Sequence, residues 1–309
     1  MSAPGEGTTA TAPAGAPVRA AGTNGSGPPV VTVRVPSRSF RSELRAIKVV
    51  WRRELIRFRN ERVRIVTSLA QPLLFLFVLG SGLQQLSAAS THGVNLKTFI
   101  YPGVLCISVM FTAMFSAASI VWDREFGFLR EMMVAPVRRS SIVIGKCFGG
   151  ATVASLQGVI LIALAWTVEV PYSVSLILGI FLLQLLLAFS ITAFGVMAAA
   201  RIKQMQSFMG LMQLVVMPMF FISGALFPVT NLPGWLAFLN RIDPLTYAVS
   251  PMRSIVFNHL DLSKQAEASL NPGITWFGWT VPMALEIFTV FALGMVMLGI
   301  AIWEFNSGE

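Results

Sequence analysis

The chain has 309 residues, 55% of them hydrophobic and 12% charged, with a formal net charge of +9. A soluble domain carries about 25% charged residues, and here the apolar residues gather into runs long enough to cross a bilayer core of roughly 30 Å, which excludes a soluble globular protein. The only cysteines, Cys106 and Cys147, and the only histidines, His92 and His259, exclude a disulfide scaffold and leave no metal-ligand cluster.

Residues 1–36 are rich in Ala, Gly, Pro, Thr and Ser, with Glu6, Arg19 and Arg34 their only charges. Such a segment cannot bury enough apolar surface to order itself and is expected to be a disordered cytoplasmic tail. It lacks the basic and then apolar run of a signal peptide. Residues 37–63 differ. Phe40, Leu44, Ile47, Trp51, Leu55 and Phe58 recur at helical spacing, while Arg41, Arg45, Lys48, Arg52, Arg59 and Arg62 largely take the other face. A basic amphipathic helix of this kind lies in the membrane interface, its cations among anionic head groups. A cytoplasmic partner could share its apolar stripe.

Six spans follow, at roughly 64–86, 98–122, 142–168, 172–199, 206–227 and 276–303. Gln71-Pro72 predicts a kink in the first. The connections hold 19 Lys and Arg on one side, counting residues 1–64, and four on the other (Lys97, Arg241, Arg253 and Lys264). The positive-inside rule puts the larger group, and with it both termini, in the cytoplasm. Termini on one side require an even number of spans, and six satisfies that. The basic charge is therefore a topology signal rather than a nucleic-acid footprint, for which the stacking aromatics are too few. The fold class expected is an all-α membrane protein, N-in and C-in, with residues 64–309 as the transmembrane domain.

Between spans two and three, residues 122–146 form a cytoplasmic loop. Asp123 and Glu125 are read as opening a short helix, where carboxylates suit the positive end of the dipole. Phe126, Leu129, Met132 and Met133 give it an apolar stripe, and Pro136 ends it. It reads as a docking knob for a soluble partner, with Gly127 and Arg130 in the same stretch, or as a plain helix lying on the membrane. Before the last span, residues 228–275 read as two apolar half-helices, near 232–242 and 245–257, too short to span and therefore interfacial or re-entrant on the outer side.

Nothing in the chain handles nucleotide. The stretch Ser140 to Cys147 ends in Gly-Lys, but Ser140 stands where a phosphate loop needs Gly, and Cys147 where it needs Ser or Thr for magnesium. No nucleophile elbow or zinc-protease pair is present either. No enzymatic activity is expected.

Two segments resemble a known family, the permease subunit of type-2 ABC exporters, and look most like its daunorubicin-type drug-resistance members. The first is carried by Glu125, Gly127, Leu129, Met132, Met133, Pro136, Gly145 and Lys146, which match the family's coupling-helix loop. The second is carried by Ser223, Gly224, Phe227, Pro228, Leu232, Pro233, Trp235, Pro244, Leu245, Thr246, Tyr247 and Arg253, which match its outer re-entrant segment. Pro251 departs from the pattern and predicts a broken second half-helix. The resemblance covers residues 40–309. It implies a homodimer of permeases, with two ABC-type ATPase subunits beneath it that hold the ATP and magnesium. It also implies coupling through residues 123–140 and export of a hydrophobic or amphipathic small molecule, a drug, an antibiotic or a lipid, across a bacterial cytoplasmic membrane. This chain itself needs no cofactor or metal.

Candidates for the solute path are the Met- and Phe-rich stripes Met110, Phe111, Met114, Phe115, Met212, Met217, Phe220 and Phe221, with Gln71 and Gln213. Packing between helices is the competing reading of the same residues. Glu286 reads as near mid-depth in span six, where an unpaired carboxylate costs at least about 2.5 kcal/mol. Gln71, Gln157, Gln184 and Gln213 are candidates to join helices by hydrogen bonds or to line the path. Two competing functions are a proton-coupled antiporter carrying its proton on Glu286 and a non-transporting scaffold.

Overall fold

The computed structural model describes residues 39–82, 95–128, 132, 137–168, 170–227, 233–260, 270–276 and 278–307. The tail expected over 1–36 lies outside them, as do Leu129, Arg130, Met133, Pro136 and Pro228.

Helix α1 (Phe40–Asn60) precedes six helices long and apolar enough to cross a membrane. These are α2 (Arg62–Gly82), α3 (Leu96–Glu125), α4 (Arg139–Ile162), α5 (Val174–Arg201), α6 (Met205–Ile222) and α9 (Met283–Ser307). Two short helices, α7 (Gly234–Ile242) and α8 (Thr246–Phe257), and a hairpin of β1 (Thr275–Trp276) with β2 (Trp279–Thr280) lie between α6 and α9. The expected all-α architecture with six spans holds.

Helix α3 is the axis of the bundle. It is buried along nearly its whole length, with α4, α5, α6 and α8 against it. Helix α9 packs chiefly on α5. Helices α2 and α6 stand at the edge, most of their apolar surface uncovered. In a lipid solvent exposed apolar side chains carry no penalty, so burial here reports position in the bundle rather than hydrophobicity. In α2 the helix runs through Pro72 and then widens to a π turn over Phe75–Leu79. Such bulges absorb the backbone bonds that a proline disturbs.

Several expectations need correction. Span two does not stop at residue 122; it runs to Glu125, so Asp123 and Glu125 close a span rather than open a loop helix. No Gly or Pro interrupts the sequence there until Gly127, where φ is 81°. Span three ends at Ile162 and passes into a 3-10 turn, Ala165–Val168. Span five ends at Ile222. Span six begins at Met283, not near 276, because the apolar pair Trp276 and Trp279 is spent on the hairpin. Glu286 therefore sits in the first turn of α9 rather than at mid-depth. The half-helices fall where expected, but α8 is unbroken at Pro251. Burial of Ala248, Val249, Met252 and Arg253 on either side holds it through the proline.

Helix α8 is inserted into the bundle alongside the first turns of α3. The Phe99 and Phe257 rings lie 6.4 Å apart, and Met252 Sδ sits 3.6 Å from Cys106 Sγ. By contrast α7 keeps Trp235, Phe238 and Ile242 exposed.

Candidate functional site

Three constructions concentrate the chemistry: a knot of buried charge at the Arg- and Lys-rich end, an apolar groove along α2, α3 and α6, and a polar cap at the opposite end.

The knot begins with glycine. Gly145 and Gly149 lie one helical turn apart on α4, and a Cβ at either would come within 2.8 Å of α1, at Val50 and Glu54 respectively. Their absent side chains let α1 lie directly on α4. The face α1 buries is centred on Val50 and Glu54, while Phe40 and Leu44 of the predicted apolar stripe stay exposed. Glu54 thereby reaches Lys146. Lys146 Nζ donates to Glu54 Oε1 at 2.6 Å, to Asp123 Oδ2 at 2.6 Å and to Ser119 Oγ at 2.9 Å. All three ammonium protons are thus used. The other Asp123 oxygen takes Arg53 at 3.0 Å, and Arg57 stands over the Trp122 ring at 5.0 Å.

The same network brackets the loop that follows. At its start, Arg124 donates to the carbonyls of Ala199, Ala200 and Ile202, closing the C-terminal end of α5. At its far side, Glu43 of α1 accepts from the Arg138 amide at 3.1 Å and from Ser141 Oγ at 2.5 Å, where α4 begins. Arg53 also reaches Met132 Sδ at 3.1 Å. The start of the loop is therefore held by α5 and, through Asp123 and Arg53, by α1, and its far side by α1. In the loop, Phe126 is 71% exposed and Phe128 50%. Glu54 and Phe128 were missed from sequence. Glu54 sits among arginines and reads as one more charge on a solvated face.

The groove has a volume of about 260 Å³. Seven of the predicted path residues line it: Gln71, Phe111, Met114, Phe115, Met212, Gln213 and Met217, joined by Phe208, Met209 and Val216. Met110, Phe220, Phe221 and Glu286 are not on its wall. Phe220 instead meets the Phe75 ring at a tilt, 5.3 Å between centroids, and the Phe221 ring edge-on at 4.6 Å. Glu286 Oε1 accepts from Ser250 Oγ at 3.0 Å, tying α9 to α8. Gln157 and Gln184 are fully buried, yet among the described residues neither amide has a hydrogen-bond partner, so the expected bridge is not formed.

In the cap, Asn240 donates to the Ile222 carbonyl at 2.6 Å and to Thr246 Oγ1 at 3.1 Å. Asp243 accepts from the Leu245 amide at 2.9 Å and from Thr246 Oγ1 at 3.2 Å. Burial pushes the Asp243 carboxyl up to about 7, against the pull of those two donors. Tyr247 donates to the Arg241 carbonyl at 2.7 Å and accepts from the Trp276 indole at 2.9 Å. Arg253 crosses to the turn after α6, donating to the Gly224 carbonyl at 2.7 Å, and lies over the Phe99 ring at 4.2 Å. Ser223, Gly224, Thr246, Tyr247 and Arg253 thus come together, while Trp235 and Phe227 stay exposed. Pro233 caps α7, and Pro244 lies in the turn to α8. Asn240 and Asp243 complete the cap without having been picked out, and Trp276, read as the start of the last span, joins them.

Residues 45–257 match the family described as ABC-2 type transporter. A provisionally named transport permease of Cyanophora paradoxa, ycf38, is 28% identical over 249 residues, 79% of this chain and 84% of its own length. Nodulation protein J of Rhizobium meliloti (strain 1021) is 32% identical over 211 residues, 67% of this chain and 79% of its own length. A provisionally named multidrug ABC transporter permease of Escherichia coli (strain K12), YbhR, is 28% identical over 172 residues, 55% of this chain and 46% of its own length.

Proposed function

The chain belongs to the ABC-2 type transporter family, and we propose that it is the permease subunit of an ATP-driven exporter of hydrophobic or amphipathic small molecules. A separate ABC-type ATPase supplies the energy, holding ATP and magnesium. Two permease copies pair, in a bacterial cytoplasmic membrane, with the Arg- and Lys-rich end toward the cytoplasm. The observation that carries the cargo class is the groove: methionine and phenylalanine walls adapt to varied apolar shapes, with Gln71 and Gln213 as the polar exceptions. A drug, an antibiotic or a lipid suits such a wall, and the multidrug name of the Escherichia coli relative supports the first two.

Coupling follows from the knot. An ATPase that grips Phe126 and Phe128 pulls on a loop whose two ends are both held by α1 and whose first residues continue α3, the axis of the bundle. Displacement at the loop therefore reaches α3 and the groove wall through one continuous helix.

The test is reconstitution with the proposed ABC-type ATPase partner. Purified alone, the chain neither binds nor hydrolyses ATP. With its partner it moves a fluorescent amphiphile in proteoliposomes only when ATP is supplied. Glu125→Lys combined with Phe126→Asp abolishes co-purification of the ATPase. Transport driven by a proton gradient without ATP would overturn the reading in favour of an antiporter.

A further inference from the structure

Beneath α7 and α8 lies a second cavity of about 260 Å³, unlike the groove in chemistry. Its wall includes Asn240, Arg241, Ser250, Arg253, Asn271 and Thr275. Its wall is polar and carries two arginines where the groove's is methionine and phenylalanine, which suits a charged head group rather than an apolar body.

Arg253 decides the sign of the site. Its residue is 2% exposed, and no carboxylate among the described residues lies within ion-pair distance of it. The hydrogen bonds it makes leave from Nη2, to the carbonyls of Gly224 and Ala225, and its buried Nε has no partner among the described residues. A buried guanidinium ordinarily has a carboxylate beside it, because an uncompensated charge out of water is expensive. The two nearby acids are occupied elsewhere. Asp243 serves the Leu245 amide and Thr246, and Glu286 serves Ser250. A second cation, Arg241, lines the same wall.

We propose that this cavity is a binding site for an anionic oxygen group, a phosphate or carboxylate, with the Arg253 guanidinium as its principal charge and donor. With Nη2 given to the two carbonyls, the guanidinium meets such a group through its remaining N–H donors, as charge-assisted single contacts. Asn240, Asn271 and Ser250 already spend donors on the protein, so the ligand's selectivity rests on charge more than on a ring of hydrogen bonds.

The test uses the full chain in phosphatidylcholine nanodiscs, titrated separately with inorganic phosphate, hexanoate and dihexanoyl phosphatidic acid, and read by calorimetry. At least one probe binds saturably. Thr275→Glu places a carboxylate on the exposed wall and weakens that binding at least tenfold more than Thr275→Gln, which adds the same bulk without the charge. Arg253→Gln weakens it at least as much as Thr275→Glu. If Arg253→Gln does not fold, the two Thr275 variants decide. Binding of phosphate or hexanoate identifies a free oxyanion as sufficient. Binding of phosphatidic acid alone identifies a lipid head group held with its chains. The proposal fails if none of the three probes saturates, or if Thr275→Glu and Thr275→Gln bind equally well.

Discussion

Two buried cations sit at opposite ends of this bundle and are treated differently. Lys146 is matched by two carboxylates and a hydroxyl, every proton spent within 3 Å. Arg253 is held by two carbonyls and a phenyl face, with a donor left over. The first arrangement is closed. It joins α1, α3 and α4 and has nothing left to give a ligand. The second is open. Its charge is tolerated because the guanidinium is diffuse and weakly hydrated, and carbonyl dipoles and a π face can hold it without neutralising it.

The contrast can be broken first at Lys146. Lys146→Met strands Glu54 and Asp123 together in the interior, and loss of one partner from a buried pair costs about 3–5 kcal/mol. Thermal melting in detergent is expected to fall well below wild type, with recovery when Glu54→Gln and Asp123→Asn are added. A melt unchanged by Lys146→Met would show that the knot is not closed. Arg253→Gln is the matching change at the cap. It removes charge-assisted hydrogen bonds worth roughly 1.5–3 kcal/mol and strands no carboxylate, so its melt falls less than that of Lys146→Met.

Acidity sharpens the comparison at the cap alone. The Asp243 carboxyl titrates near 7 in the folded chain against 3.8 ordinarily. The folded state therefore holds a proton that the unfolded chain releases between those values. Stability from this group is complete below 3.8 and is lost as pH rises towards 7, with no further change above it. Amide protection factors over residues 240–257, with the intrinsic pH dependence of exchange divided out, are expected to be higher at pH 5 than at pH 8, and Asp243→Asn removes the difference. The smallest effect belongs to Arg64, which pairs with Glu61 one turn away on the same stretch of chain at 2.6 Å, both side chains about a quarter exposed. Arg64→Ala leaves Glu61 its second partner, Arg57, and lowers stability by less than about 1 kcal/mol.

How much of this was legible depends on the range of the interaction. The spans and half-helices were readable because each is a local run of apolar residues. Most of the groove wall was readable too, because Met and Phe recur on α3 and α6 at helical spacing. The ends failed where local chemistry is ambiguous. Trp276 and Trp279 look the same in a hairpin as in a span, and nothing stops a helix at Trp122. The knot was illegible for a different reason. Glu54, Asp123 and Lys146 come from three elements, and only the approach permitted by Gly145 and Gly149 brings them together. The unspent donor of Arg253 was equally hidden, since its carbonyl partners belong to a turn 28 and 29 residues away.

Cys106 and Cys147, the only thiols in the chain, are both buried to 0% exposure in the interior of the bundle. The native chain is thus already silent towards bulky water-soluble maleimides. A single cysteine placed at Phe126 or at Trp235 would be its one accessible reactive sulfur. Labelling those two variants in sealed, right-side-out vesicles reads the sidedness of the knot and the cap directly, without first stripping the protein of its own cysteines.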